Sequence, residues 1–281
     1  MRTESSVGVV IATRDRRDRV LATLGRVTAL PERPPVVVVD DASHDGTARA
    51  IAERFPQVDV VRLPRPRGAA ARNVGVERLA TPYVALLDDD SWWVPGALPR
   101  AAAALDAQPR LAVVAAQVLV GDEERLDPAC AEMGRSPLGD EVLGFVACGA
   151  VVRRAPFLAA GGFHPRYGIG GEEGRLAVAL AAAGWQLRYL PDVVAHHHPT
   201  RAEPRPGRVA RVLRNDLWTV WSVRPPAAAA RASARLIRRG GLRRETAAGV
   251  VGALRGAAWI ARERRPVPPA LEAKLSLLDA A

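Results

Sequence analysis

Cysteine and lysine are nearly missing from this chain: Cys130, Cys148 and Lys274 are the only residues of their kinds, and aromatics make up 5%. Two thiols are too few for a disulfide framework or a cysteine zinc site, and they suit a reducing, cytoplasmic setting. No uninterrupted apolar run approaches the ~18 residues of a membrane-spanning helix. The opening Met1-Arg2-Thr3-Glu4-Ser5-Ser6 lacks the charged start, apolar middle and small-residue cleavage site of a secretory signal. No internal repeat is visible.

What is present is apolar substance and arginine. The 281 residues are 48% hydrophobic, enough for one large α/β domain with an appendage. The net charge of +10 is unevenly spread. Residues 1–198 carry 23 Arg against 24 Asp and Glu, whereas residues 199–265 carry 16 Arg against four acids. The basic charge therefore belongs to a C-terminal extension.

Val7–Ala12 reads as a buried strand and Val20–Leu30 as a helix, with Val36–Val39 a second strand that is apolar on both faces. A helix to about Phe55, a strand at Val58–Leu63, a helix at Gly68–Leu79 and a strand at Tyr83–Leu87 follow. This alternation predicts a doubly wound, mostly parallel α/β sheet. Further on, Leu111–Val120 and Phe145–Val152 read as strands, Gly121–Asp140 as a loop-rich insert, Glu172–Ala183 as a helix and Leu187–Leu190 as a short strand. From Pro204 the pattern is Arg-rich and helical.

In such sheets ligands bind beyond the carboxyl ends of the strands, so Thr13-Arg14, Asp40-Asp41 and Asp88-Asp89-Asp90 should share one crevice. Three adjacent carboxylates repel one another unless a cation sits among them, and hard oxygen ligands suit Mg²⁺ or Mn²⁺. In an extended segment Asp88 and Asp90 point one way and Asp89 the other. A solvated acidic turn is the plain alternative. Gly68, Arg72, Asn73 and Gly75 open a helix with small residues that allow close backbone approach.

In order and spacing, Thr13-Arg14, Asp40-Asp41-Ala-Ser-His-Asp-Gly-Thr, Gly68-x3-Arg72-Asn73-x-Gly75 and Leu-Leu-Asp88-Asp89-Asp90 resemble family 2 glycosyltransferases. Gly161-Gly162-Phe163, Gly171-Glu172-Glu173 and His196-His197-His198 extend the likeness over about residues 5–200. The resemblance implies a GT-A fold: a catalytic domain over 1–200, with a nucleotide part to about 95 and an acceptor part over 96–200, and a helical basic extension over 201–281. It implies an inverting, metal-dependent transfer of a hexosyl or deoxyhexosyl group from a nucleoside-diphosphate sugar to a glycan or polyprenyl-linked acceptor in cell-envelope synthesis. Thr13, Arg14, Asp41, Arg72, Asp88 and Asp89 match nucleotide-binding positions, with Asp89 toward the ribose. Asp88 and Asp90 match the metal-binding pair, His197 is favoured over His196 as a further metal neighbour, and Glu173 matches the catalytic base. The family's base is usually an Asp, and Arg175 replaces a common acid, which leaves the acceptor contacts open.

The extension carries Trp218, Trp221 and Trp259 among its arginines, a combination suited to an anionic membrane surface at the inner face of the cell membrane. Packing of these Trp residues onto the catalytic domain is the alternative. No nucleic-acid motif is present, so no nucleic-acid partner is expected. Two rival readings are a nucleotidyltransferase, disfavoured by Thr13-Arg14-Asp15-Arg16 in place of a Gly-rich loop, and a degenerate nucleotide-sugar binding subunit.

Overall fold

The computed structural model describes residues 5–199 and 207–280. Strands β1 (Val7–Thr13), β2 (Val36–Asp40), β3 (Asp59–Arg62) and β4 (Tyr83–Asp88) alternate with helices α1 (Arg17–Val27), α2 (Thr47–Arg54) and α3 (Ala71–Arg78). The four strands pair in parallel, in the order β3-β2-β1-β4. Their β-branched runs explain the layering. Val9, Ile11, Val36 and Val38 enter one core with Val20 and Leu24 of α1 and Ile51 of α2. Val10, Val37 and Val39 enter the opposite core with Val76 of α3, because successive strand side chains point to opposite faces. A Cβ on Gly75 would lie 2.6 Å from Cγ1 of Val10. The missing side chain lets α3 rest directly on the sheet.

The second half comprises β5 (Ser91–Trp93), α4 (Ala97–Ala107), β6 (Leu111–Val120), β7 (Arg125–Leu126), α5 (Pro128–Met133), β8 (Ala150–Arg153), α6 (Arg154–Ala159), α7 (Glu172–Ala182) and β9 (Gln186–His197). It continues the sheet as β4-β8-β6-β9-β5, with β7 on the side of β6. β8 runs antiparallel to both its neighbours, and β6 and β9 pair in parallel. The architecture is the expected GT-A type: a Rossmann-like parallel half joined to a mixed half, with helices on both faces.

Three expectations for this half need correction. Phe145–Val152 is not one strand: residues 147–149 form a 3₁₀ turn and only Ala150–Arg153 pairs. A buried apolar run looks the same in either conformation, so periodicity cannot separate them. The 121–140 insert contains β7 and α5, the latter capped by Asp127, whose carboxylate accepts from Ala129 N at 2.8 Å, with Pro128 at the first turn. The short strand at Leu187–Leu190 extends through the histidines to His197, because Pro191, Asp192 and Val193 bulge out between the pairs Ala116↔Leu190 and Gln117↔Val194. A bulge is where a strand tolerates a proline.

The extension folds into α8 (Arg208–Val223), α9 (Pro226–Gly240), α10 (Arg244–Arg255), α11 (Ala257–Glu263) and α12 (Pro269–Ala280). Its expected start at Pro204, and the expected boundary at 200/201, lie outside the described residues. Trp218 and Trp259 pack edge to face at 5.1 Å and reach Tyr167 and His164 of the catalytic half. These two follow the packing alternative, while Trp221 stays 40% exposed. Val267 and Leu271 close a second contact on Leu143, Val178 and Val223. Among the described residues no helix is long and apolar enough to cross a membrane.

Candidate active site at the strand ends

β4 ends at Asp88, and Asp89 and Asp90 form a turn into β5, fastened by Asp88 N donating to Ser91 Oγ at 2.8 Å. The turn cancels the expected alternation. Asp89 and Asp90 both reach the guanidinium of Arg16, with Arg16 Nη2 2.7 Å from Asp90. Asp88 instead pairs with Arg72. His197, brought beside the turn by the β5–β9 pairing, places Nε2 3.3 Å from Asp90. One ligand atom each of Asp88, Cys148 and His197 lie within 4.8 Å of one another.

Burial sets the charge states here. Burial pushes Asp89 up to about 6, against the opposing pull of Arg16 and of the Thr13 hydroxyl, which donates at 2.8 Å. Burial also works to raise Asp90, but His197 and Arg16 outweigh it and hold the carboxyl below its ordinary value. Burial opposes the charged form of His197, yet Asp90 and Asp88 raise its pKa. Burial lifts the Cys148 thiol well above its usual range.

Across Arg72 from Asp88 lies the start of α7, entered from Gly171 at φ +83°. Burial and the neighbouring Glu172 push Glu173 up to about 8. Glu172 is itself raised by burial, and its carboxylate accepts from Gly170 N. The charge of Arg72 thus faces three carboxylates, Asp88, Glu172 and Glu173, and its buried Nε has no hydrogen-bond partner among the described residues. Glu173 opens onto a cavity of about 350 Å³ walled on its far side by α8 and α9.

Several expected residues sit elsewhere than the sequence suggested. Arg14 points to solvent and pairs with Asp15 at 3.5 Å, because the chain turns outward after Thr13; Arg16, two positions later, meets the acids. The Asp41 carboxylate is taken up by Arg67 N at 2.6 Å and Gly68 N at 2.9 Å, so it clamps the loop before α3. Asp89 is turned inward to Thr13 and Arg16, since its tight turn directs it against α1. Thr13, Arg72, Asp88, Asp90, His197 and Glu173 do converge.

The histidines divide by strand alternation. His196 and His198 face Trp92, with ring centroids at 5.6 and 4.6 Å, and lie near Glu124 and Asp122. Of the three rings, that of His197 faces the aspartates of the β4–β5 turn. Sequence reasoning passed over Arg16, although the Thr-Arg-Asp-Arg turn held it. It also passed over Cys148, which no local pattern marks, and Asn215, whose amide donates to the carbonyls of Tyr167 and Gly170 from the extension.

The carboxylate of Asp88, the imidazole of His197 and the thiol of Cys148 come together closely enough to hold a divalent cation, and Asp90 stands beside them against His197. Comparison with known proteins adds the lineage. Residues 8–159 match the model of Glycosyl transferase family 2. The chain is 34% identical over 98 residues to succinoglycan biosynthesis protein ExoU of Rhizobium meliloti (strain 1021), a stretch covering 34% of this chain and 29% of that protein. It therefore spans under a third of that relative's length. It is 25% identical over 240 residues to N-acetylglucosaminyl-diphospho-decaprenol L-rhamnosyltransferase of Mycobacterium tuberculosis (strain CDC 1551 / Oshkosh), covering 71% of this chain and 77% of that protein. Among solved structures, mannosyltransferase PcManGT from Pyrobaculum calidifontis, in complex with GDP-Man and Mn²⁺, superposes with a TM-score of 0.60 at 19% identity, over 99% of this chain and 87% of that one. At that identity the likeness speaks for the fold.

Proposed function

The chain belongs to glycosyl transferase family 2, and from this we propose that it is an inverting glycosyltransferase acting on a nucleoside-diphosphate hexose or deoxyhexose. The observation that carries the reading is the placement of Glu173 across Arg72 from the Asp88, Asp90 and His197 cluster. Asp88, Asp90 and His197 would hold Mg²⁺ or Mn²⁺, which when bound neutralises charge on the departing diphosphate. Arg72, the buried cation between the two groups of acids, orients toward the same diphosphate. Thr13 and the Asp41-clamped loop shape the nucleotide side of the crevice. Glu173 takes the proton of the acceptor hydroxyl while that oxygen attacks the anomeric carbon from the face opposite the leaving group.

The acceptor is a glycan or lipid-linked sugar of the cell envelope. The relatives' names, one from succinoglycan synthesis and one acting on a diphospho-decaprenol sugar, support this reading. The catalytic unit is assigned to residues 1–200 and the basic helical unit to 201–281, with the arginines of the latter resting on an anionic lipid surface at the inner face of the cell membrane. Flotation with anionic vesicles, lost at high salt, is the expected behaviour of that surface.

The test begins with a nucleotide-sugar screen by thermal shift, with and without Mn²⁺, since a bound donor stabilises the fold. With the donor identified, slow Mn²⁺-dependent release of nucleoside diphosphate without acceptor is expected. Asp90→Ala should lose that release. Normal turnover by Asp90→Ala sinks the metal assignment, and donor binding without any release of nucleoside diphosphate favours the binding-subunit reading.

A further inference from the structure

The helical extension holds a second cavity, and its relation to the first is informative. We propose that the groove between α8, α9, α10 and α11 seats the isoprenoid chain of a lipid-linked acceptor, whose phosphate is met by Arg239 at the end of α9. The proposal rests on the reading of Glu173 as the base and names the acceptor class for that same site.

The groove has a volume of about 420 Å³ and is walled by Leu217, Trp218, Trp221, Ile237, Leu254 and Ile260. Its two polar members are already satisfied. Ser233 Oγ accepts from Trp221 Nε1 at 2.9 Å, and the Arg264 guanidinium donates to the carbonyls of Trp221 and Arg224. The surface left to a ligand is therefore apolar. Trp218 and Ile260 form a buried floor, whereas Trp221, Ile237 and Leu254 remain exposed at the rim. A folded core would bury such side chains, and their exposure marks a binding surface.

The same two helices wall both cavities. α8 presents Asp216 and Thr219 to the Glu173 cavity and Leu217, Trp218 and Trp221 to the groove. α9 presents Arg235 and Arg239 to the Glu173 cavity and Ser233 and Ile237 to the groove. One helix, about 10–12 Å across, thus separates the base from the apolar seat.

Charge orders the ligand along this path. In the Glu173 cavity Asp279 is neutralised by Arg224 and Arg235, leaving Glu173 and Asp216 to face sugar hydroxyls. Among the described residues Arg239 makes no ion pair or side-chain hydrogen bond, and it stands exposed on the cavity wall, two residues along α9 from Ile237 of the groove. Sugar, phosphate and hydrocarbon chain then meet carboxylates, arginine and apolar wall in the order of a sugar phosphate linked to an isoprenoid.

Equilibrium dialysis of the full chain against labelled farnesyl diphosphate tests this, with inorganic pyrophosphate and farnesol as comparisons. Farnesyl diphosphate should bind at least tenfold more tightly than either. Ile237→Glu and Arg239→Glu, both at exposed positions, should each weaken it about tenfold while leaving the melting temperature and Mn²⁺-dependent donor hydrolysis unchanged. Pyrophosphate binding as tightly as farnesyl diphosphate, or full affinity in Ile237→Glu, overturns the proposal. So does a concentration-dependent dimer abolished by Ile237→Glu without farnesyl diphosphate binding, which would give the groove to a second copy. Donor hydrolysis is read separately: its loss in the unmodified chain would strike the catalytic reading, and loss of lipid binding alone would strike only this one.

Discussion

Glu173, the proposed base, has a shifted charge state, and pH would report on both. Burial and the adjacent Glu172 raise its pKa to about 8, so the carboxylate needed for proton abstraction accumulates only as pH rises through that value. A cation at Asp88 and Asp90 would draw the value down. We therefore expect kcat/KM to climb with pH along a limb with an apparent pKa at or below about 8. Glu173→Gln should cost about 10²–10⁴ in kcat with donor KM little changed, and the limb should vanish with it. A retained limb in that variant would assign the titration to another group. Arg16 offers a second test at this scale. Its guanidinium bridges Asp89 and Asp90, so Arg16→Ala leaves the buried Asp89 without a cation, while Asp90 keeps His197 and Arg19. Burying unpaired charge is strongly destabilising, by about 3–5 kcal/mol. Asp89, already pushed up to about 6, should then take up a proton at still higher pH, so the loss measured by urea unfolding should shrink as pH falls. The sign follows from protonation removing the unpaired charge.

At the scale of single elements, α3 and β9 show how the site is held. Replacing a helical glycine by alanine ordinarily stabilises by about 1 kcal/mol. At Gly75 the new Cβ would meet Val10 at 2.6 Å and Val39 at 3.2 Å, both in the sheet and unable to retreat. Overpacking costs about 1–3 kcal/mol and should win, so Gly75→Ala is expected to lower the urea midpoint. An unchanged or higher midpoint would show that α3 shifts without strain. The helix and the strands around it were legible because valine runs and small residues have strong local preferences. β9 was half legible. Its first residues alternate polar and apolar, but the continuation past Pro191 depends on a bulge against β6, a non-local pairing that no short window contains. That continuation carries His197, and strand alternation then separates it from His196 and His198, a distinction invisible when the strand is read to end at Leu190.

Across the whole molecule, the extension and the catalytic half share one contact that bears on Glu173. Asn215 of α8 is wholly buried and donates to the carbonyls of Tyr167 and Gly170, directly before the Gly171 entry to α7. Asn215→Ala would leave the Gly170 carbonyl unpaired at about 1–3 kcal/mol, whereas the Tyr167 carbonyl keeps Arg214 Nη2 at 3.1 Å. The expected result is a lowered melting temperature together with reduced kcat, rescued in part by Asn215→Gln. If stability falls while kcat holds, the contact is structural only. Arg175 belongs to the same seam, donating to Ser222 Oγ at 2.6 Å and pairing with Glu263, so the position that departs from the family's usual acid serves to bind the extension.

The sequence alone determined the alternating α/β order, the parallel first half, the placement of acids at strand ends and the basic helical extension. All of these follow from local chemistry: β-branched runs, turn residues and charge density act within a few positions of themselves. Tertiary structure decided which groups meet. It turned Asp89 inward, sent Arg14 to solvent and Arg16 to the acids, set Cys148 beside Asp88 and His197, and walled Glu173 with the extension. Those outcomes rest on contacts between residues tens to more than a hundred positions apart, where geometry is fixed by packing and desolvation and not by neighbours along the chain.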